Sequence, residues 1–399
     1  MIINKQLISI TLVLLIFGVS CTAISVIEKP IPTITGRHQV DNIVASTSIQ
    51  SKEPVSTKIQ TITPAPLQDT IIPTQRSSPT NTFTPTPTAT EIVFDVGNEI
   101  TIKYLQDLQI IGSDITFEEE LPPRSAYKQH LVSYISEGNK IYGLLTIPTV
   151  EPPVNGFKAI IFNHGYIPPS VYRTTERYNA YVDYLAKSGF VVFKIDYRGH
   201  GDSEGQPTGS YFSPGYTIDS ITALKSLQTL DYIDPNGIGM WGHSMAGNLV
   251  LRAMLIEPEI KAGVIWAGAV YSYDDFVKYG IDDNTYRPPA ITQDQQSTNN
   301  RRGSRAIFDT YGRPDTQLNF WKAVSLTENI DYLSSPIQIH HAEDDSVVNI
   351  GYSFDLAVVL QANGKPYEFY TYEGGGHNLA SPYFNQAMQR TVEFFRNNL

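Results

Sequence analysis

The stretch Gly239-Met240-Trp241-Gly242-His243-Ser244-Met245-Ala246-Gly247-Asn248 decides the fold of this chain. Residues 237–241 form an apolar run that predicts a buried strand of a parallel sheet, and residues 246–256 predict a helix directly after it. Gly242 and Gly247 are small enough to let this strand and helix approach closely. A serine on so tight a turn adopts strained backbone geometry, which exposes its hydroxyl beside the N–H groups of the helix N-terminus.

The pattern Gly-x-Ser-x-Ala-Gly between a strand and a helix resembles the nucleophile turn of the α/β-hydrolases. Ala246 stands where these enzymes usually carry glycine, and alanine is still small enough for the position. The resemblance implies an α/β fold of the α/β-hydrolase type, with a mostly parallel central sheet, helices on both faces and a lid insertion. It also implies that Ser244 is a nucleophile.

The base of such an enzyme follows the acid in the chain, because the triad of this fold runs in the order serine, acid, histidine. Of the eight histidines, only His377 follows the candidate acids. It comes after three glycines, between a predicted strand at 367–372 and a predicted final helix at 383–397. A glycine run allows a loop to place an imidazole over the edge of the sheet, so we expect His377 to be the base.

The acid is expected after the predicted strand at 336–341, in Ala342-Glu343-Asp344-Asp345-Ser346-Val347-Val348. The family pattern His-Gly-x-x-Asp-x-x-Val places it at Asp345, and Asp344 is the alternative. Carboxylates of this cluster are also suited to capping the helix that begins near Ile350.

The loop after the apolar strand at 158–163 begins with His164-Gly165. The resemblance implies that the backbone N–H groups of Tyr166 and Met245 form the oxyanion hole, and we expect the side chain of His164 to brace the loop. A second glycine-rich loop, residues 196–205, is expected to be structural, with its charged side chains joining neighbouring loops.

The N-terminal part of the chain has a different composition from the rest. Residues 1–21 predict a signal peptide with a possible lipobox, in which Cys21, the single cysteine, is the lipidation site. Residues 22–91 are rich in threonine and proline and predict a disordered tether. The α/β-hydrolase domain is therefore expected at 92–399, with a polar lid insertion at about 271–329.

The composition also indicates where the protein acts and what it binds. The formal net charge of −11, with no basic patch, argues against a nucleic-acid partner. We expect no cofactor and no metal, because no spacing of ligands indicates a site. The expected location is extracytoplasmic, either tethered to the membrane by a lipid on Cys21 or secreted.

Within the superfamily, the chain resembles the prolyl oligopeptidase-like and dienelactone hydrolase-like serine hydrolases. Fewer than about 100 residues precede the core, which leaves no room for the β-propeller of a prolyl oligopeptidase. We therefore expect a carboxylesterase-like enzyme that cleaves small esters. The alternatives are a prolyl oligopeptidase-like or aminopeptidase-like peptidase acting on short peptides and, from another class, a non-catalytic binding protein tethered to the surface.

Overall fold

The computed structural model describes residues 92–279 and 304–399. The predicted signal peptide, the lipidation of Cys21, the tether at 22–91 and residues 280–303 of the predicted lid lie outside the described residues, so these predictions stay predictions. Within the described residues, no helix has the length and apolar character needed to cross a membrane.

The described residues form a nine-stranded sheet. Its strands are β1 (Thr116–Leu121), β2 (Tyr127–Ser136), β3 (Asn139–Pro148), β4 (Phe157–Asn163), β5 (Val191–Ile195), β6 (Ile233–His243), β7 (Gly263–Trp266), β8 (Ile337–Ala342) and β9 (Tyr367–Tyr372). They lie in the order β1-β2-β3-β5-β4-β6-β7-β8-β9. β1, β2 and β3 pair antiparallel, β3 pairs antiparallel with β5, and the six strands from β5 to β9 in this order are parallel.

Helices cover both faces of this sheet. They are α1 (Ile102–Asp107), α2 (Asn179–Lys187), α3 (Gly215–Leu227), α4 (Met245–Ile256), α5 (Asp274–Tyr279), α6 (Asn319–Val324), α7 (Gly351–Ala362) and α8 (Phe384–Asn398), and residues 304–311 are also helical. One apolar core joins the sheet to α1, α3, α4 and α7, and a second core on the other face joins it to α2 and α8. The predicted α/β-hydrolase architecture is therefore confirmed.

The hairpin of β2 and β3 shows how the sequence determines local structure. Glu137 and Gly138 connect the two strands, and their φ angles of 48° and 78° are both positive. Two positive φ angles are the mark of the two-residue turn that matches the twist of a hairpin, and glycine adopts them at little cost. The sequence Glu137-Gly138-Asn139 between two apolar runs predicts such a hairpin, and the pairing of β2 with β3 confirms it.

The helix that precedes the central strand begins earlier than its sequence predicts. We expect it at 219–231, with Asp219 near its start, whereas α3 is Gly215–Leu227. Asp219 lies inside the helix and its side chain is fully buried, where it pairs with Arg198 at 2.7 Å. Asp219 is thus an interior ion-pair partner and not the first residue of the helix, so the predicted bounds are wrong at the start.

The loop after β5 has the structural role expected of it. The carboxylate of Asp196 accepts hydrogen bonds from the hydroxyl groups of Tyr172 and Thr174, which lie in the segment before α2. The guanidinium of Arg198 donates to Asp219 on α3 and to Glu137 in the hairpin turn. These two side chains therefore hold three separate segments together.

The N-terminal end of the described domain packs on part of the predicted lid. The ring of Phe94 makes edge contacts with Tyr311 and Phe320 at centroid distances of 6.0 and 5.3 Å. The Tyr311 hydroxyl donates to the carbonyl of Val96 at 2.9 Å and accepts from its N–H at 3.2 Å. Trp321 is fully buried in the same region, so this part of the insertion belongs to the core.

β1 lies at one edge of the sheet and is exposed along most of its length. Three of its six residues are glutamates, Glu118, Glu119 and Glu120, and its pairing with β2 is interrupted by an irregularity between Phe117 and Glu119. The sequence does not predict this strand, because its charges interrupt the alternation of apolar and polar residues that is typical of strands.

Replacing Asp219 with Asn should destabilise the domain by about 3 kcal/mol or more, because it leaves the mostly buried Arg198 guanidinium without a full counter-charge. The matched change Asp107→Asn disrupts an ion pair whose side chains are 56% and 54% exposed, and should cost less than about 1 kcal/mol. Urea unfolding of both variants measures the difference. Equal losses would contradict the role given to Asp219.

Candidate active site

Ser244 occupies the turn between β6 and α4. It is the single residue between the end of the strand at His243 and the start of the helix at Met245. Its backbone has φ 56° and ψ −120°, a conformation that costs a non-glycine residue about 1–3 kcal/mol. The Ser244 N–H donates to the carbonyl of Trp266 at 2.9 Å, and its carbonyl accepts from Gly247 at 2.8 Å. The surrounding backbone therefore holds the strained serine in place.

The close approach of strand and helix at this turn depends on small residues. A Cβ atom on Gly242 would lie 2.7 Å from the carbonyl oxygen of Ala246. A Cβ on Gly247 would lie 2.6 Å from the Cα of Gly268, which follows β7. Real Cβ contacts are not this short, so the expectation that glycines permit this packing is confirmed.

His377 lies in a short 3-10 turn, Gly376–Asn378, after β9. The two residues before it, Gly375 and Gly376, have φ angles of 106° and 58°, which explains the need for glycine there. The Nδ1 atom of His377 is 2.8 Å from Oδ2 of Asp345, and the His377 side chain is 15% exposed. Because Nδ1 faces a carboxylate, it carries a proton, and Nε2 of the neutral ring can accept one.

The side chain of Asp345 is fully buried and accepts hydrogen bonds on both carboxylate oxygens. Oδ1 accepts from the N–H groups of Val347 and Val348 at 2.8 and 3.0 Å. Oδ2 is 2.8 Å from His377 Nδ1 and 3.1 Å from His341 Nε2. Burial opposes ionisation of the carboxyl, but the hydrogen bonds from the two histidines outweigh it and hold the pKa of Asp345 well below its usual range.

Asp344, the alternative acid, has a different partner. Its Oδ1 atom accepts the N–H of Gly376 at 2.7 Å and so contacts the backbone of the histidine loop. The imidazole ring of His377 contacts Asp345 instead. The structure thus brings the carboxylate of Asp345 to the His377 ring, whereas the carboxylate of Asp344 contacts the backbone of that loop.

A cavity of about 720 Å³ joins these elements. Its lining is mainly aromatic and aliphatic, with one arginine, and consists of Gly165, Tyr166, Ile167, Pro168, Val171, Arg177, Tyr178, Tyr181, Tyr211, His243, Ser244, Met245, Val347, Val348, His377 and Asn378. Ser244 and His377 line it together with Tyr166 and Met245, the two residues expected to form the oxyanion hole. The oxyanion role of Tyr166 and Met245 stays a prediction.

His164 is fully buried and directly precedes Gly165, which lines the cavity. Its ring stacks on Tyr172 with centroids 4.5 Å apart, and its Nδ1 lies 2.7 Å from the carbonyl oxygen of Gly165. Burial lowers its pKa well below the usual value, so the ring is neutral. This agrees with the expected bracing role.

Several cavity residues carry no signal in the sequence. Tyr178, Tyr181 and Arg177 belong to the start of α2 and the residues before it, where the sequence indicates only an amphipathic helix. His243 precedes the serine, yet nothing in the sequence alone gives it a partner.

Across residues 92–279 and 304–399, no group of three or more histidine, cysteine, aspartate or glutamate side chains is arranged to hold a metal ion.

Comparison with known families identifies the chain. Residues 157–381, more than half of the 399, match the Hydrolase_4 family, described as serine aminopeptidase, S33. The chain belongs to the Hydrolase_4 family. This family is a family of serine hydrolases. The matched segment contains Ser244, Asp345 and His377. This confirms the resemblance to α/β-hydrolases drawn from the sequence.

Two known proteins are similar to this chain over different lengths. Human Protein ABHD12B is 26% identical over 206 residues, which are 51% of this chain and 49% of that protein, so the match spans about half of the relative. The uncharacterized peptidase YtmA of Bacillus subtilis is 22% identical over 279 residues, 69% of this chain and 96% of that protein.

A solved structure shows the same fold as this Hydrolase_4 member. Acetyl xylan esterase 1 from Thermoanaerobacterium sp. superposes with a TM-score of 0.55 at 16% identity, and the match covers 75% of this chain and 93% of the esterase. At this identity the similarity establishes the fold alone.

Replacing Ser244 with Gly should give a more stable protein than replacing it with Ala, by about 1 kcal/mol. Both changes remove the hydroxyl, but only glycine adopts a φ of 56° without steric cost, and part of that gain is offset by the greater entropy of its unfolded chain. Urea unfolding of the two variants measures the difference. An alanine variant as stable as the glycine variant would show that the turn is not strained.

Proposed function

We propose that this protein is a serine hydrolase that cleaves carboxylic esters of small substrates through an acyl-enzyme. The observation that carries the proposal is the Asp345–His377 pair, with 2.8 Å between Oδ2 and Nδ1, whose histidine lines the same cavity as the strained Ser244. A serine hydroxyl needs a base, and the base needs a group that orients it, so these three side chains form a Ser-Asp-His triad in the proposal.

The proposed reaction has two steps. Ser244 Oγ attacks the ester carbonyl while Nε2 of His377 takes the hydroxyl proton, and Asp345 stabilises the imidazolium that forms. The N–H groups of Met245 and Tyr166 bind the oxyanion. The ester bond breaks, the alcohol leaves with the proton from His377, and the acyl group stays on Ser244. Water then attacks this acyl-enzyme while His377 takes one of its protons, and His377 returns that proton to Ser244 Oγ as the bond to the acyl group breaks and the carboxylic acid leaves.

A peptidase is the second candidate, because the family is described as a serine aminopeptidase and the Bacillus subtilis relative as a peptidase. An aminopeptidase binds the free ammonium group of its substrate, which favours a carboxylate nearby. Among the described residues that line the cavity, the permanently charged one is Arg177, whose solvent-exposed cation does not attract an ammonium group. This observation favours esters over peptides that carry a free amino terminus.

A fluorophosphonate probe should label the full-length protein at Ser244, because the probe reacts with a serine that a neighbouring base activates. Ser244→Ala should abolish labelling, and His377→Ala should slow it by about 10³-fold or more. Mass spectrometry of the labelled peptide identifies the site.

Hydrolysis assays on the same samples separate the functions. p-Nitrophenyl esters should be cleaved faster than aminoacyl anilides, and N-acylated anilides faster than those with a free amino group. A folded wild-type protein that neither labels nor hydrolyses any of these would overturn the triad and favour a non-catalytic binding protein. Faster cleavage of free aminoacyl anilides would favour the aminopeptidase.

Asp345→Asn should lower kcat about 10³- to 10⁴-fold, because the amide removes the charge that orients and stabilises the His377 ring. Asp344→Asn is the matched control one residue away. It retains an oxygen that can accept the N–H of Gly376 and should lower kcat less than about tenfold. Steady-state kinetics of the two variants make the comparison, and a greater loss in Asp344→Asn would reverse the assignment of the acid.

A further inference from the structure

A chain of hydrogen bonds links the two loops that flank Ser244. The N–H of Gly165 is 3.0 Å from the hydroxyl oxygen of Tyr178. That hydroxyl is 2.8 Å from Nδ1 of His243, and Nε2 of His243 is 2.8 Å from the carbonyl oxygen of His377. One end of the chain therefore adjoins Tyr166, and the other is the peptide group of the proposed base.

The direction of each hydrogen bond follows from its partners. The carbonyl of His377 can only accept, so Nε2 of His243 carries the proton. Burial and the neighbouring His377 lower the pKa of His243 to about 3, so the ring is neutral and its Nδ1 atom accepts. The Tyr178 hydroxyl consequently donates to Nδ1 and accepts from the N–H of Gly165. Each donor in the chain meets an acceptor.

The position of Tyr178 is determined on several sides. Its backbone has φ 60° and ψ 19°, a left-handed conformation that is costly for tyrosine, directly before α2. The neighbouring carbonyl of Arg177 accepts a hydrogen bond from the buried ammonium of Lys194 at 2.8 Å. A Cβ on Gly165 would lie 2.8 Å from the Tyr178 hydroxyl, so the close contact requires glycine.

A second contact from α2 holds the same histidine loop. The hydroxyl of Tyr181 donates to the carbonyl of Asn378 at 2.7 Å. His377 and Asn378 thus present consecutive carbonyls to His243 and Tyr181. The backbone of the base is therefore held from the Ser244 turn and from α2, while its ring is held by Asp345.

We propose that Tyr178 and His243 are positioning residues that couple the oxyanion loop at 164–166 to the backbone of His377. This inference rests on the proposed function, because the loops it joins carry the proposed oxyanion donor and base. Tyr178 and His243 transfer no proton to the substrate. They keep Tyr166 and His377 at fixed positions relative to Ser244. A displacement of about 1 Å at such groups can lower the reaction rate about 100-fold.

The test compares two tyrosine variants of the full-length protein. Tyr178→Phe removes only the hydroxyl and should lower kcat about 10- to 100-fold, with KM changed less than about threefold. Tyr184→Phe, which lies on the following helix α2 and does not line the cavity, is the matched control and should retain wild-type kcat. A Tyr178→Phe kcat within twofold of wild type would overturn the proposal.

Variants of His243 separate positioning from simple packing. His243→Gln keeps an N–H that can donate to the His377 carbonyl, whereas His243→Leu keeps the bulk without the donor. His243→Gln should retain at least about tenfold more kcat than His243→Leu. Equal activities of the two folded variants would contradict the coupling.

Amide hydrogen exchange provides a readout that does not need catalysis. Protection of the amides of Gly165, Gly376 and Leu379 should fall about tenfold in Tyr178→Phe and stay unchanged in Tyr184→Phe. Unchanged protection in Tyr178→Phe overturns the coupling whatever the activity. A wild-type protein without fluorophosphonate labelling but with the expected exchange pattern would instead overturn the proposed function, and with it the catalytic purpose of the coupling.

Discussion

The site depends first on the buried carboxylate of Asp345. An ionised carboxylate out of contact with water is unstable unless hydrogen bonds replace the lost hydration. Here four donors do so: two backbone N–H groups and the rings of His341 and His377. The donors come from the end of β8, the loop after it and the loop after β9. A single charge thereby fixes the relative positions of three chain segments, and one of them carries the proposed base.

The parallel part of the sheet explains why these segments meet. The C-terminal ends of parallel strands lie at one edge, so loops that are far apart in sequence become neighbours. The loop with the proposed oxyanion donor follows β4, Ser244 follows β6, Asp345 follows β8 and His377 follows β9. Tyr178, directly before α2, contacts the loop after β4, and Tyr181 on α2 contacts the loop after β9.

The sequence predicts those parts of the site that depend on local rules. The position of a serine between a buried strand and a helix predicts Ser244 as the nucleophile. The position of a histidine after a glycine run predicts His377 as the base. Asp345 needs the family pattern to distinguish it from Asp344. Tyr178 and His243 escape notice because their partners include main-chain groups, the Gly165 N–H and the His377 carbonyl, which no pattern of side chains indicates. The start of α3 is misplaced for a related reason, since only the fold shows that Asp219 faces Arg198.

The acidic edge strand β1 has a consequence for behaviour in concentrated solution. An exposed edge presents unpaired N–H and C=O groups on which a strand of another molecule can dock, and such docking is a route to aggregation. Three consecutive glutamates and an interrupted register with β2 make this edge a poor template. Glu118 is paired with Lys140 at 2.8 Å, whereas Glu119 and Glu120 add negative charges that repel a second copy meeting this edge. The charge and the interrupted register of β1 thus disfavour edge-to-edge pairing of two copies.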